Sequence, residues 1–371
     1  MTLTIDLHIL QSVPPANLNR DDSGSPKTAI YGGVRRARVS SQAWKRVTRH
    51  DFSTRLNPDQ VGVRTLRAAE LLADRLQTLQ PDIERDEALK AAKFALEAVG
   101  LKVVAKRAKK DAVEEDAGTK TEYLVFFSNQ QLDGLAGLVA GGETDKKAYK
   151  AVLQGHNGID LALFGRMVAN DAELNVDASV QVAHALSTHA VENEFDFYTA
   201  VDDESPAEET GAGMMGTIEF NSSVLYRYAT INVGLLDEQL SEHRDTVRGV
   251  TEFVRSFILS MPTGKQNTFA NGTLPDAVLV TARLDRGVSF VGAFEEPVSA
   301  GPMGGYIRPS AEALAHYAKD EAIQFADAPA KAWVVRVGAR TDALDQLGER
   351  VTLPELLSAV GGYTSAELGL S

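Results

Sequence analysis

Seven basic side chains and no acidic one fall between residues 23 and 50: Lys27, Arg35, Arg36, Arg38, Lys45, Arg46 and Arg49. The chain around them is acidic, with a formal net charge of -13. A basic island in such a chain marks a place to meet a polyanion while the remaining surface repels it. Ser40, Ser41 and Gln42 stand beside Lys45 and Arg46. Phosphate contacts combine Arg and Lys charge with such short polar groups and with backbone N–H donors. Ser40 or Ser41 is suited to cap a helix over residues 42–51, whose free N–H groups and positive dipole end would then face an anion. In that helix Gln42, Lys45, Arg46 and Arg49 recur at i, i+3, i+4 and i+7 and share a face, leaving Ala43, Trp44 and Val47 for a core. A solvated basic helix is the plainer reading of any charge run. The missing acids, the cap and the shared face favour phosphate binding.

Other candidate chemistry is weaker. There are no cysteines, which excludes disulfides, thiolate zinc sites and Cys nucleophiles. His184 and His189 are five apart and share a face in neither helix nor strand, so no metal pair is expected. GAGMMG at 211–216 lacks dinucleotide-binding spacing. Gly264-Lys265 resembles the end of a phosphate loop, but Leu259 stands where its first glycine belongs and Gln266 where Ser or Thr belongs. That loop is still polar and basic enough to touch phosphate. Asp21-Asp22 and Asp202-Asp203 are adjacent carboxylates, the residue type that binds Mg²⁺. Adjacent acids on extended chain point to opposite faces, and no general base lies near them in sequence. No catalytic residue, metal ligand or cofactor is expected.

These residues need elements to hold them. Residues 2–10 alternate, predicting a half-buried strand with His8 on its outer face. Residues 13–30 read as a loop rich in Pro, Asn, Asp and Ser. Residues 59–104 are helical in period, with Leu66, Ala69, Leu72, Leu76 and Leu79 on one stripe. A solvated charged hinge follows at 106–122. Residues 159–168 and 181–191 read as strands. Phe195, Phe197 and Tyr198 precede an acidic, Gly-rich tip, so 192–221 reads as a protruding hairpin. Then come a strand at 223–233, a helix at 237–261 ended by Pro262, strands at 277–283 and 288–294, a helix at 310–325, a strand at 332–338 and a short helix from 353. The pattern is an α+β core of the βαββαβ kind with large insertions. No apolar run is long enough to span a membrane, and MTLTIDLHIL lacks the basic start of a signal peptide, so a cytoplasmic location is expected.

In this order, NLNRDD, AIYGG, R-x-R-x-SSQ-x-x-KR, FGRM, THAVENEFDFYTAVDD and the GKQ loop resemble the CasC-type backbone subunit of the type I-E CRISPR surveillance complex, Cascade, in the RAMP superfamily. The resemblance runs to about residue 290. It implies an RRM-like (ferredoxin-like) palm over 1–58 and 181–371, a mostly helical fingers insertion over 59–180, and a β-hairpin thumb at about 192–222. It implies RNA phosphates at Asn19, Arg20, Lys27, Ser40, Gln42, Lys45, Arg46 and Arg49, with Lys265 and Gln266 completing the groove. Met167 would wedge against bases, and so would the thumb aromatics, Tyr198 first and Phe197 second. The implied partners are CRISPR RNA, further copies of the chain packed head to tail, other Cascade subunits, and target DNA through the guide. The implied role is not catalysis: the guide is held by its backbone and base pairing reads the target. RAMP relatives include RNA-cutting proteins, so the resemblance keeps a metal-dependent endoribonuclease, with the paired aspartates as its metal site, as the alternative reading. A stand-alone RRM protein fits less well, because no RNP1-type run is present.

Overall fold

A computed structural model describes residues 2–52, 54–105, 119–168, 171–200 and 214–370. The charged run at 106–118, the Asp202-Asp203 pair and most of the Gly-rich tip lie outside them. The strands are β1 (Thr4–Ala16), β2 (Thr28–Tyr31), β3 (Val34–Val39), β4 (Gly62–Thr65), β5 (Val103–Ala105), β6 (Thr119–Thr121), β7 (Val125–Ser128), β8 (Val180–Val182), β9 (Ala185–Ser187), β10 (Glu194–Ala200), β11 (Met214–Asn232), β12 (Ala277–Arg283), β13 (Lys331–Arg336) and β14 (Glu349–Arg350). The helices are α1 (Ser41–Phe52), α2 (Ala68–Leu79), α3 (Arg85–Ala98), α4 (Asn129–Ala140), α5 (Lys146–Gln154), α6 (Ile159–Phe164), α7 (Val233–Gln239), α8 (His243–Leu259), α9 (Gln266–Phe269), α10 (Ile307–Gln324) and α11 (Leu353–Glu367). The fold is mixed α+β around one mostly antiparallel sheet, in which only β13 and β14 pair in parallel among the described registers.

The chain divides into two compact units: residues 1–51, 181–232 and 253–364, and residues 52–180, 233–252 and 365–371. The first holds the sheet, in the order β14-β13-β12-β1-β11-β9-β3-β2. Its centre is β1, in register with β11 from Thr4↔Asn232 and with β12 from Thr4↔Arg283. Alternation in β1 predicted one wet face, but both faces are buried. Ile5, Leu7 and Ile9 are fully covered, on the face where their neighbour Arg227 lies over Trp44 of α1 and Phe257 of α8. On the other face Leu10 joins Tyr226, Tyr228, Phe290, Phe294 and Leu314 of α10. His8 is therefore not an outer residue. Its ring stacks on Phe290 at 4.3 Å and its Nδ1 meets the Tyr226 hydroxyl at 2.8 Å. Thr4, Asp6 and His8 read as polar, so the pattern looked half-wet. Asp6 and His8 find partners inside instead, Asp6 accepting from the Tyr228 hydroxyl and the Val288 N–H, both at 3.0 Å, although the buried His8 Nε2 has no partner among the described residues.

The second unit is a helical cluster. Leu72 and Leu76 of α2, Ala92 and Leu96 of α3, Leu132 and Leu135 of α4, and Tyr149 and Leu153 of α5 form its core. Leu79 ends the predicted stripe in solvent. Residues 159–164 are a helix rather than a strand. Five apolar-facing positions in a row suit either element, and Gly165 at φ +77° stops the helix after six residues. Two further expectations also shift. Residues 290–294 form a tight helical turn, because the small Gly292 and Ala293 leave only Phe290 and Phe294 to be buried. The predicted long helix at 237–261 is two, α7 and α8, broken after Gln239. The tail helix is longer than expected, at 15 residues.

Candidate nucleic-acid interface

The loop after β1 forms one wall of a groove of about 640 Å³, lined by Leu18, Asn19, Arg20, Asp21, Asp22 and Gly24. Local chemistry fixes this wall. Asn17 is fully buried and donates through Nδ2 to the carbonyls of Gly24 (3.0 Å) and Glu219 (2.9 Å). Asn19 accepts the Ser40 N–H on Oδ1 at 2.9 Å, and its carbonyl accepts the Lys27 N–H at 2.8 Å. Asp21 Oδ1 accepts from the Ser23 hydroxyl, the Ser23 N–H and the Ser25 N–H. Those bonds, the Ser23 hydroxyl first, hold its carboxyl below the usual range.

The second wall is α1, through Ala43, Arg46 and Val47. Ser40 caps the helix: its Oγ accepts the Ala43 N–H at 3.4 Å and the residue is buried. Trp44 and Thr48 face the core. With a helical step of about 100°, Arg46 then sits on the groove flank, while Lys45 and Arg49 sit on the opposite flank. The four polar positions do share an arc of about 100°, but of them only Arg46 lines the groove. Ala43 and Val47, expected in a core, line the groove. Lys45 is half-buried, and burial pushes its pKa down.

The third wall is residues 262–265, reached from α8 through Pro262. Gly264 lies so near the first wall that a Cβ would sit 2.2 Å from the Leu18 carbonyl oxygen. Only glycine lets the two backbones approach this closely. Lys265 follows at φ +50°, a left-handed conformation rare for a residue with a Cβ. Gln266 then opens α9 and is exposed. Arg20, Arg46 and Lys265 bring positive charge to the groove, and Asp21 and Asp22 stand on the same rim. Among the described residues no three His, Cys, Asp or Glu side chains gather to hold a metal ion.

A family model described as CT1975-like protein matches residues 5–359. The chain belongs to the CT1975-like family. This CT1975-like chain is also similar to a solved chain described as a CRISPR RNA-guided surveillance complex, pre-nicking, with a TM-score of 0.83 and 33% identity over 97% of this chain and 100% of that one. A second solved chain, from a CRISPR RNA-guided surveillance complex, matches with a TM-score of 0.74 and 28% identity over 97% and 99%. No curated protein matches significantly.

The CT1975-like chain also carries the predicted hairpin. β10 and β11 pair from Glu194↔Phe220 to Ala200↔Met214. That register puts Phe195, Phe197 and Met215 on one face, where each is about two-thirds exposed (67%, 64% and 66%). Tyr198 points to the other face and lies over Gly216, where a Cβ would meet its hydroxyl at 2.5 Å. Phe197, second in expectation, is freely presented together with Phe195; Phe195 and Met215 were not among the expected contacts. In the helical unit, Arg166 is buried and spends its guanidinium on the carbonyls of Leu174 and Leu153 and on Gln131. Burial lowers its pKa to about 10. Anchored beside it, Met167 is 82% exposed.

Not all of the basic island reaches the surface. Arg36 is buried and donates to the carbonyls of Ser187, Phe294 and Tyr31. Strand alternation sets it on the face opposite its neighbour Arg35, which is exposed, but nothing near them in sequence says which face is covered. The role of Gly264 was missed for a similar reason, since nothing near it in sequence announces Leu18.

Proposed function

We propose that this chain is a CRISPR RNA-binding backbone subunit of a Cascade-type complex, assembling head to tail along the guide without catalysis of its own. The observation that carries the reading is the near full-length likeness, at 33% identity, to a chain of an RNA-guided surveillance complex. The sheet order supports an RRM-like palm. Strands β12-β1-β11-β9, with α1 and α8 in the two connections, follow the βαββαβ arrangement. Residues 59–180 are the fingers and the hairpin at 192–222 the thumb.

Arg20, Arg46 and Lys265 hold RNA phosphates, which fixes the strand without reading it. Gln42, Gln266, Lys45 and Arg49 extend that contact, while Asn19 and Ser40 shape its floor. Phe197 and Met167 press on bases and divide the guide into segments. An open heterologous contact between copies continues into a filament. Other Cascade subunits complete the assembly, and target DNA is read by pairing with the guide.

The test mixes the full chain with single-stranded RNA several site sizes long and Mg²⁺, with and without added nuclease. Intact RNA with a regular protection repeat is expected. Arg46→Gln weakens binding to all sequences alike and flattens the plot of log K against log salt by about 0.7 per lost phosphate contact. RNA cut by the protein itself, with cutting lost on changing Asp21 and Asp22, would replace this reading with the endoribonuclease.

A further inference from the structure

Between β9 and β10 the chain leaves the large sheet over residues 188–193 and begins the hairpin. The β9–β11 register, Tyr226↔Leu186 and Leu225↔Ser187, brings Thr188 opposite Val224 at the next step. An antiparallel pair at that step exchanges two backbone bonds. One is made: the Thr188 N–H donates to the Val224 carbonyl at 2.9 Å. The Thr188 carbonyl instead accepts the Val298 N–H, also at 2.9 Å. The Val224 N–H donates to Nε2 of His189 at 3.1 Å. An imidazole thus stands in the ladder where a strand carbonyl belongs.

The ring can do this in one form only. Its Nδ1 lies 2.8 Å from the Ala190 carbonyl, which can only accept, so the proton sits on Nδ1 and Nε2 keeps its lone pair. The ring is buried and stacks on Tyr306, the residue before α10, with centroids 3.7 Å apart. Burial holds its pKa below the usual histidine value; the Ala190 bond opposes this and the Arg36 guanidinium of β3 assists it. The hairpin starts four residues from Val224, at the pair Glu194↔Phe220. Its root is tied to the same crossing. The Val191 N–H donates to the Arg35 carbonyl at 3.0 Å, Asn193 Nδ2 to Glu219 Oε2 at 3.1 Å, and Asn221 Nδ2 to Asn193 Oδ1 at 3.1 Å. A two-stranded ribbon builds little core of its own, so its direction follows the bonds at its root.

We propose that His189 is a positioning residue for the hairpin: its ring, bonded to Val224, fixes where β11 leaves the sheet and so where Phe197 is presented. This inference rests on the RNA-binding reading above, in which Phe197 presses on bases. The ring itself is buried, so its effect on the guide runs through the hairpin.

The test compares His189→Asn with His189→Gln in the full chain. Both give up the stack on Tyr306. Asparagine can still donate to the Ala190 carbonyl but is too short to reach the Val224 N–H, whereas glutamine reaches it with Oε1. One bond and one stack are small against the stability of a domain, so both variants fold. The first readout is hydrogen exchange, by mass spectrometry, of the segment holding Val224 in the free chain. The second is the nuclease-protection repeat on single-stranded RNA. In His189→Asn the exchange is expected to quicken about tenfold and the repeat to blur while RNA stays bound. In His189→Gln exchange stays within about threefold of wild type and the repeat stays sharp. Wild-type exchange in His189→Asn, a sharp repeat there despite fast exchange, or equal blurring in both variants would overturn the positioning role and leave the RNA-binding reading standing. A wild-type chain that gives no repeat would overturn that reading and the role with it.

Discussion

Replacing Gly264 by alanine isolates one contact of the groove. The added Cβ would lie 2.2 Å from the Leu18 oxygen, 2.6 Å from the Leu18 carbonyl carbon and 2.8 Å from the Asn17 oxygen. A relaxed carbon–oxygen contact is about 3.3 Å, so the two walls must part by about 1 Å. All three atoms are backbone, so no side chain can swing away. Gly264 is not in the left-handed region, so alanine carries no backbone strain there. Overpacking of this kind costs about 1–3 kcal/mol. Loss of glycine freedom in the unfolded chain returns about 0.4–1 kcal/mol. The expected net loss is about 1–2 kcal/mol, read from urea denaturation. Gly272 is the control: a Cβ there meets nothing within 4 Å, and Gly272→Ala is neutral or slightly stabilising. Domains hold about 5–15 kcal/mol of stability, so Gly264→Ala stays folded. Any loss of RNA affinity in it then reports on the separation of Arg20 and Asn19 from Lys265. Equal stability and equal affinity in the two alanine variants would refute the close approach of the walls.

Three other outcomes are expected. Arg227→Ala removes a buried guanidinium that bonds Gln11 at 2.6 Å and the Phe257 carbonyl and lies 3.8 Å over the Trp44 ring, so urea denaturation records a loss of about 3–5 kcal/mol. Burial raises the Asp6 pKa to about 6 and lowers that of His8 to about 3. Between about pH 6.5 and 4 the folded state takes up the Asp6 proton before the unfolded state does, which gains stability as pH falls. His8 acts oppositely there, because the unfolded state charges first. Asp6→Asn removes only the gain, so stability measured against pH falls more steeply on acidification than in wild type. Phe197→Ser leaves stability within about 0.5 kcal/mol because the ring is exposed, yet blurs the nuclease-protection repeat.

What was legible in the chain depended on range. Ser40, Trp44 and Arg46 lie on one helix, and capping and period placed that helix within a residue of its observed start. The rotation of its polar stripe was not legible, since the burial of Thr48 depends on Ser260 and its neighbourhood far along the chain. The hairpin was legible from the aromatic run and its polar tip, but the face of each ring follows from the β10–β11 register, which the aromatic spacing alone does not give. Phe290 was assigned to a strand because its apolar run has no period of its own. His8 was misplaced because a buried histidine with a tyrosine partner looks, in sequence, like any polar strand residue.

The groove joins residues 18–24 to residues 262–265, with some 240 positions of chain between them. Contacts of such separation close late, after the loop entropy has been overcome. During synthesis, Arg20 and Arg46 emerge long before Lys265 exists. A nascent chain therefore displays scattered cations but no groove, and the groove exists only once residue 265 has been made and has returned to meet residues 18–24.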